Sequence, residues 1–411
     1  MKNIAILGFG VVGCGVAEVI AMNKDSIAAR LGEEVQVKKI LDIREFPDSP
    51  FAALVTNKKE EVFEDPEISI VVETIGGARI AYEYTKMALS AGKTVITSNK
   101  ELVSTHGVEL LTLARENHCK YIFEASVGGG IPIIRPLKRC LAANKVERIV
   151  GIVNGTTNYI LTQMAESGAD FATALSEAQS KGYAEANPSA DIDGIDAQRK
   201  IAILSTIALD GAYVDPAGLF TVGISDITTK DMEYANEMNA SIKLLAVFEN
   251  KDDGAFAYVA PHLVSKSHPL ACANGVFNAI MVTGNAVGDA MFYGQGAGKL
   301  ATASAVVGDV MEAIEMPEKD AFACKWYQSE QPVLLPIEKH AVSVLLRLPD
   351  SVTDEAIAEA FPEISCQPCV YEAEGEKAVI LGKNGDMNEA QLAIGLESFD
   401  SILGMIRIFG E

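Results

Sequence analysis

The stretch "NIAILGFGVVGCGVAEVIAMN", Asn3 to Asn23, decides the fold. Its first apolar residues read as a buried strand, a glycine turn follows, and an apolar run with helical spacing comes after it. Gly8, Gly10 and Gly13 fit G-x-G-x-x-G, and Gly15 is an extra glycine. Gly8 permits a tight turn, Gly10 lets a pyrophosphate approach the backbone, and Gly13 lets the helix pack closely on the strand. Alone such a motif is weak. Placed directly after a strand and opening a helix, it predicts a dinucleotide cradle running from Gly8 through Phe9, Gly10, Val11 and Val12 to Gly13.

Outward from this turn, strands alternate with helical patterns. "EVQVKKILDI" leads to Asp42, "ISIVVETIGG" to Thr74 and "GKTVITSNK" to Lys100, while "KYIFEASVGGGIPII" supplies a fifth strand over Tyr121 to Ala125. The segments "RIAYEYTKMALSAG" and "HGVELLTLARENH" between them have helical periodicity. The fold class expected is α/β, with a Rossmann-type doubly wound parallel sheet. Ligands of such sheets bind beyond the C-terminal strand ends, which places Thr74, Ser98, Asn99, Lys100 and Glu124 on the reactive edge.

The chain has 411 residues, more than one core usually supports, with 49% hydrophobic and 22% charged residues. A dinucleotide-binding domain is expected over 1–130, completed by a returning helix near 298–315. A second, α+β domain for substrate and dimerisation is expected over 131–315, with a linker over 316–338. The last segment, 339–411, reads strand, helix, strand, strand, helix, strand, the order of a small separate ferredoxin-like domain. A net charge of −22 opposes binding to nucleic acid or anionic membranes, and no apolar run approaches the ~18 residues of a span. The N-terminal glycine pattern argues against a signal peptide, so a cytoplasmic protein is expected. Seven cysteines, an odd number, do not suggest a disulfide framework, and the "CQPC" pair, Cys366 and Cys369, reads as two ordinary buried thiols.

The segment "KGYAEANPSADIDGIDAQRK", Lys181 to Lys200, concentrates Glu185, Asp191, Asp193 and Asp196 before an apolar helix. Pro188 keeps Glu185 on a loop. A helix starting near Asp191 puts Asp196 and Lys200 one turn apart on one face. Helix-start acids and a surface ion pair account well for Asp191 and Asp193, and poorly for Glu185 and for an Asp196–Lys200 pair that leads straight into an apolar run. The chemical reading gives Lys200 a proton to handle at a substrate oxygen, with Asp196 raising its pKa, and gives Glu185 and Asp191 a substrate ammonium group.

Six motifs, "GFGVVGCGV", "SNKELVSTHG", "EASVGGGIPIIRPL", "GIVNGTTNYIL", "KGYAEANPSADIDGIDAQRK" and "GQGAGKLATASAVVGD", taken in this order, resemble the homoserine dehydrogenase family over most of residues 1–312. The resemblance implies reversible NAD(P)H-dependent reduction of L-aspartate 4-semialdehyde to L-homoserine. It implies Lys200 as proton donor with Asp196 as its partner, and Lys100 between nicotinamide and substrate. It implies Glu185, Asp191, Gly155, Thr156 and Tyr183 at the substrate, and Thr74, Ser98, Lys100 and Gly296 at the cofactor. A sodium ion held by Glu124 and the carbonyls of Val127, Gly129 and Ile131 is also implied, as is a homodimer or homotetramer.

Gln295 stands where many members have proline. The C-terminal segment is ACT-like in element order only, since "RLPDSVTDEAI" lacks the Asp-x-Pro-Gly turn. Asp42, ending the second strand, favours NAD, while nearby Arg44 leaves room for NADP. Two other readings compete: another oxidoreductase on the same first domain, such as an aspartate dehydrogenase, and a non-catalytic amino-acid sensor. The first leaves "NGTTNYIL" without a role, and the second has no need of a proton donor.

Overall fold

A computed structural model describes residues 1–316 and 325–410. The expected linker over 316–338 therefore falls partly, at 317–324, outside the described residues. The first sheet contains β1 (Lys2–Leu7), β2 (Val35–Leu41), β3 (Val55–Thr56), β4 (Ile68–Glu73), β5 (Thr94–Thr97) and β6 (Tyr121–Ile122). All pairs are parallel, in the order β3-β2-β1-β4-β5-β6. The order reverses between β1 and β4, and that switch point is where such sheets take ligands.

Period-two burial explains the layers. Ile4 and Ile6 face the helices Val11–Met22 and Lys299–Glu315, with Val16, Ile20, Val306 and Val310. Ala5 and Leu7 face the other way, with Val71, Val95, Leu102 and Leu110. The helix Lys299–Glu315 thus returns from late in the chain to lie on the first helix, and a Cβ at Gly15 would meet the Lys299 carbonyl at 2.6 Å. The fifth strand expected over Tyr121 to Ala125 stops at Ile122, because Glu124–Ser126 turns into a 3-10 helix.

The second sheet contains β7 (Val146–Ile152), β8 (Phe220–Thr221), β9 (Ala240–Lys251), β10 (Gly254–Ser265), β11 (Phe277–Gly284) and β12 (Gly288–Gln295). Strand β12 is the sheet's edge and is largely exposed. The C-terminal segment has the expected order: β13 (Val344–Pro349), helix Asp354–Ala360, β14 (Cys366–Pro368), β15 (Glu376–Leu381), helix Glu389–Leu396 and β16 (Gly404–Ile408). Its sheet is not detached as the sequence suggested. Strand β16 pairs in parallel with β10, His262 opposite Arg407, so one sheet runs from β12 to β14.

A buried ion cluster seals this junction. Arg347 on β13 donates from Nε and Nη2 to Asp231 Oδ1 (3.1 and 2.8 Å) and from Nη1 to Glu376 (2.9 Å), over the Tyr234 ring. Asp231 lies on the helix Thr229–Glu237 of the second sheet's layer, where it also completes a capping box with Thr228. Among the described residues no helix is long and apolar enough to cross a membrane.

Candidate active site

The glycine turn is built as its sequence dictates. Gly8 has φ +83°, a region open to glycine, and a Cβ at Gly13 would lie 2.0 Å from the Gly8 carbonyl. Thr74 Oγ1 donates to the carbonyls of Leu7 (3.0 Å) and Gly8 (2.8 Å), so β4 holds the turn in place. The helix Val11–Met22 begins with no side-chain cap and no acid in its first turn, while a Cβ at Gly10 would have only Arg44 Nη2 nearby, at 4.0 Å. Free amides, a favourable dipole and open space suit a pyrophosphate. Val11 is exposed at this mouth and Val12 is partly buried, whereas the Phe9 ring is buried against Phe46 and Phe51.

Asp42 is buried beside this turn and its carboxylate is occupied. Oδ2 accepts from the Phe9 N–H (2.7 Å) and Arg44 Nη2 (2.9 Å), and Oδ1 from the Arg44 N–H (2.9 Å) and Nε (3.0 Å). Burial alone would push the carboxyl up, yet Arg44 and the two amides bring it down to about 2. The free acceptor expected from the sequence is thus absent; the Arg44 guanidinium, 59% exposed and over the Phe46 ring, is the group presented instead.

A cleft of 390 Å³ opens beyond β4 and β5. Thr74, Ser98, Asn99 and Lys100 form one wall, and Glu185, Asp191, Asp196 and Arg199 stand opposite. The acidic segment does not form one helix from Asp191. A short helix, Ser189–Ile192, breaks at Gly194 (φ +82°), and the long helix Ile195–Ala208 starts after it. Gly194 packs against Thr221, where a Cβ would lie 2.9 Å from Cγ2. The break leaves Asp191 and Asp196 side by side: Asn154 Nδ2 donates to Asp191 Oδ1 (2.7 Å) and Asp196 Oδ2 (2.8 Å).

Asp196 lies between two lysines. Lys200 Nζ donates to Asp196 Oδ2 and to the Val153 carbonyl, both at 2.6 Å. Lys100 Nζ lies 2.6 Å from Asp196 Oδ1, an ion pair short of good hydrogen-bond alignment. Asp196 is 2% exposed; burial acts to raise its pKa, but the two ammonium groups hold the carboxyl below the usual carboxylate range. Lys200 moves opposite to the sequence expectation. Its burial outweighs the carboxylate, Lys100 adds like charge, and its pKa is lowered. For Lys100, burial is also the largest single influence, but Asp196 and Asp191 overcome it and its pKa is raised. Asp191 is pushed up chiefly by burial, with the Asp196 charge adding to it.

The expected site residues are only partly gathered here. Asp196 and Lys100 face the cleft, and Lys200 lies one layer behind them, 8% exposed. Asp193 is exposed and outside the cluster. Thr156 Oγ1 donates to the Tyr183 carbonyl (2.7 Å), and Tyr183 rests on the Tyr159 ring, so these two join each other beside the cleft lining. Gly155 leaves no room for a side chain, since a Cβ would meet the Val276 carbonyl at 2.8 Å. Gly296 is likewise a close-packing glycine, with Asn278 Nδ2 at 1.9 Å from such a Cβ.

Asn154 caps the helix Gly155–Ser167, its Oδ1 accepting from the Thr157 N–H. The bridging role of its other amide atom was missed, although its place directly before "GTTN" is a signal of a helix N-terminus aimed at a site. Arg199, which pairs with Glu101 (3.3 Å) across the cleft, was missed too.

At the junction after β6, Glu124 Oε1 accepts from the N–H groups of Ile133 (2.6 Å) and Ile134 (2.9 Å), and Oε2 from that of Arg135 (2.6 Å). Among the described residues no hydrogen bond reaches the carbonyls of Val127, Gly129 or Ile131, all buried residues.

Comparison with known proteins agrees with this architecture. The family profile described as homoserine dehydrogenase, NAD binding domain, matches residues 8–124, and that of homoserine dehydrogenase matches 132–311. Homoserine dehydrogenase of Lactococcus lactis subsp. lactis is 36% identical over 408 residues, 95% of this chain and 94% of its own. That of Corynebacterium glutamicum is 44% identical over 318 residues, 76% of this chain and 71% of its own. The crystal structure of a homoserine dehydrogenase from Thiobacillus denitrificans matches with TM-score 0.89 and 35% identity, covering 99% of this chain and 98% of that one. A hyperthermophilic archaeal homoserine dehydrogenase in complex with NADPH matches with TM-score 0.66 and 31% identity, covering 77% of this chain and 99% of that one. With its glycine turn, its 3-2-1-4-5-6 sheet and its lysine–aspartate–lysine cleft, the chain belongs to the homoserine dehydrogenase family.

Proposed function

We propose that the chain interconverts L-homoserine and L-aspartate 4-semialdehyde with a nicotinamide cofactor. The observation that carries this reading is Asp196 between Lys100 and Lys200 at the C-terminal edge of a dinucleotide-type sheet. The free amides of the helix Val11–Met22 and the space over Gly10 fit the cofactor's pyrophosphate, and Gly8, Gly13 and Thr74 shape that cradle. When bound, the nicotinamide supplies hydride acceptance and donation.

The chain's own part is proton handling and orientation. A primary alcohol must lose its hydroxyl proton as it is oxidised, and an aldehyde must gain one as it is reduced. Lys200 spends two of its three N–H groups on Asp196 and Val153, leaving one for a substrate oxygen. Its lowered pKa suits release of that proton in one direction and uptake in the other. Lys100 presents a fixed positive charge at the mouth, where partial negative charge develops on the carbonyl oxygen. Asp191 and Glu185 offer carboxylates to the ammonium group. Asn154 fixes Asp191 against Asp196, so the ammonium and reacting-oxygen positions are set by one side chain.

The occupied carboxylate of Asp42 and the exposed Arg44 support NADP alongside NAD, because Arg44 offers charge to a 2′-phosphate. The unbonded carbonyls of Val127, Gly129 and Ile131 fit a sodium ion, a hard cation with oxygen ligands. Glu124 Oε2 accepts only the Arg135 N–H and keeps acceptor capacity for such an ion, whereas the Glu124 backbone carbonyl already accepts from the Val127 N–H. The exposed edge strand β12, with Met291 and Tyr293, supports pairing of two copies.

The test is nicotinamide absorbance on mixing purified protein with L-homoserine, L-aspartate or L-threonine, with each cofactor. Turnover on L-homoserine alone is expected. Turnover on L-aspartate instead, or none with any of them, overturns the reading.

A further inference from the structure

Glu73, the last residue of β4, is fully buried and no lysine or arginine among the described residues pairs with it. Its partners are neutral. Oε1 accepts from the Ile75 N–H (2.6 Å) and Oε2 from the Thr97 hydroxyl (2.5 Å). Thr97 Oγ1 in turn accepts from the Asn99 N–H (2.9 Å). Asn99 closes the ring by donating from Nδ2 to the carbonyls of Ile75 (3.2 Å) and Gly77 (2.8 Å), while its Oδ1 caps the helix whose first residue is Lys100. The loops after β4 and β5, which together form one wall of the cleft, are thus stitched to each other through this carboxylate. A buried carboxylate with no cation is costly, and packing alone gives no reason for one at a strand end beside a cleft.

We propose that Glu73 is a positioning residue whose ionised carboxylate locks the β4 and β5 loops together and so holds Lys100 against Asp196. The donor directions set the requirement. Ionised Glu73 accepts the Thr97 proton, which aims the Thr97 lone pairs at the Asn99 N–H. A protonated Glu73 reverses that bond: its own O–H faces Thr97, and the Thr97 proton loses the acceptor it has in the ring. The titratable group facing Glu73 is the Tyr121 phenol of β6, itself buried, without a hydrogen-bond partner and driven up in pKa. Burial pushes Glu73 up to about 7, against the hydrogen bonds from Thr97 and Ile75 that lower it. The lock therefore closes as pH rises through the neutral range.

This inference rests on the dehydrogenase reading. Its test is the pH profile of NADPH-dependent L-aspartate 4-semialdehyde reduction for wild type, Glu73→Gln, Thr97→Val and Thr97→Ser, with melting temperatures alongside. Wild type should show an acid limb near pH 7 from Glu73 and an alkaline limb as Lys200 loses its proton. Glu73→Gln should lose the acid limb and run roughly 10- to 100-fold below the wild-type maximum, with the alkaline limb intact. Thr97→Val should fall similarly in kcat, and Thr97→Ser, which keeps the hydroxyl, should restore it. An acid limb unchanged in a folded Glu73→Gln overturns the proposal, as does full activity in Thr97→Val. Absence of wild-type turnover would instead sink the dehydrogenase reading itself.

Discussion

Two clusters of buried charge in this chain are mirror images with different uses. In one, Asp196 lies between Lys100 and Lys200; in the other, Arg347 lies between Asp231 and Glu376. Arg347 spends its donors completely, on both carboxylates and the Leu403 carbonyl, with Gly404 making room for it. It is 2% exposed and borders no cleft of the active site. The Asp196 cluster keeps an N–H on Lys200 in reserve, and the side chain of Lys100 is 40% exposed at a cleft. A saturated ion cluster fixes an interface, whereas an unsaturated one at an opening is equipped for chemistry.

Substitutions should separate the two roles. Lys200→Ala is expected to lower kcat by roughly 10²- to 10⁴-fold, the range of a lost proton-transfer group, and to cost less stability than Arg347→Met because Lys100 still pairs with Asp196. Lys200→Arg should be nearly as poor, since a guanidinium does not release its proton near neutral pH. Loss of folding rather than rate in either variant would merge the two clusters into one structural class. Arg347→Met should do the reverse. It leaves two buried carboxylates unpaired, at a cost of about 3–5 kcal/mol measured by denaturant unfolding, while folded protein keeps its kcat.

The pH dependence of homoserine oxidation sharpens the contrast further. Asp196 has a depressed folded-state pKa, so its pairing contributes stability above the pKa of an unfolded aspartate, ~3.9, and loses it only as pH falls through the lower folded value. It therefore stays ionised across the assay range, and the oxidation rate should rise with pH as Lys200 sheds its proton below the usual lysine range. A rate that falls with rising pH in that direction would remove Lys200 as the base. Asn154→Ala should lower kcat/KM by about 10-fold and cost ~1 kcal/mol through the lost cap, because one side chain serves both jobs. The smallest effect expected is at the cofactor: Arg44→Ala should reduce NADP use relative to NAD by about 10-fold, a charge-assisted hydrogen bond's worth, leaving kcat with NAD unchanged.

Much of this was legible in the residues. Period-two apolar runs and the glycine spacing marked β1, β2, β4 and β5, and helical spacing put Asp196 and Lys200 on one face. What escaped were features set by tertiary contact. The break at Gly194 depends on packing against Thr221, and the occupation of Asp42 depends on Arg44 folding back over it. The direction of the Lys200 shift depends on burial and on a second lysine from a distant helix, neither visible in an i,i+4 pattern. The long strand β9 escaped too, although it pairs with β10 along twelve residues from Ala240 to Lys251. The joining of the C-terminal sheet to β10 rests on only two residue pairs, which no local pattern announces.

The most direct test of the central claim is kcat per folded molecule for L-homoserine oxidation, measured side by side in wild type, Lys200→Ala and Arg347→Met at a temperature where all three are folded. A kcat reduced by at least about 100-fold in Lys200→Ala and close to wild type in Arg347→Met is expected. Comparable activity in wild type and Lys200→Ala would contradict it.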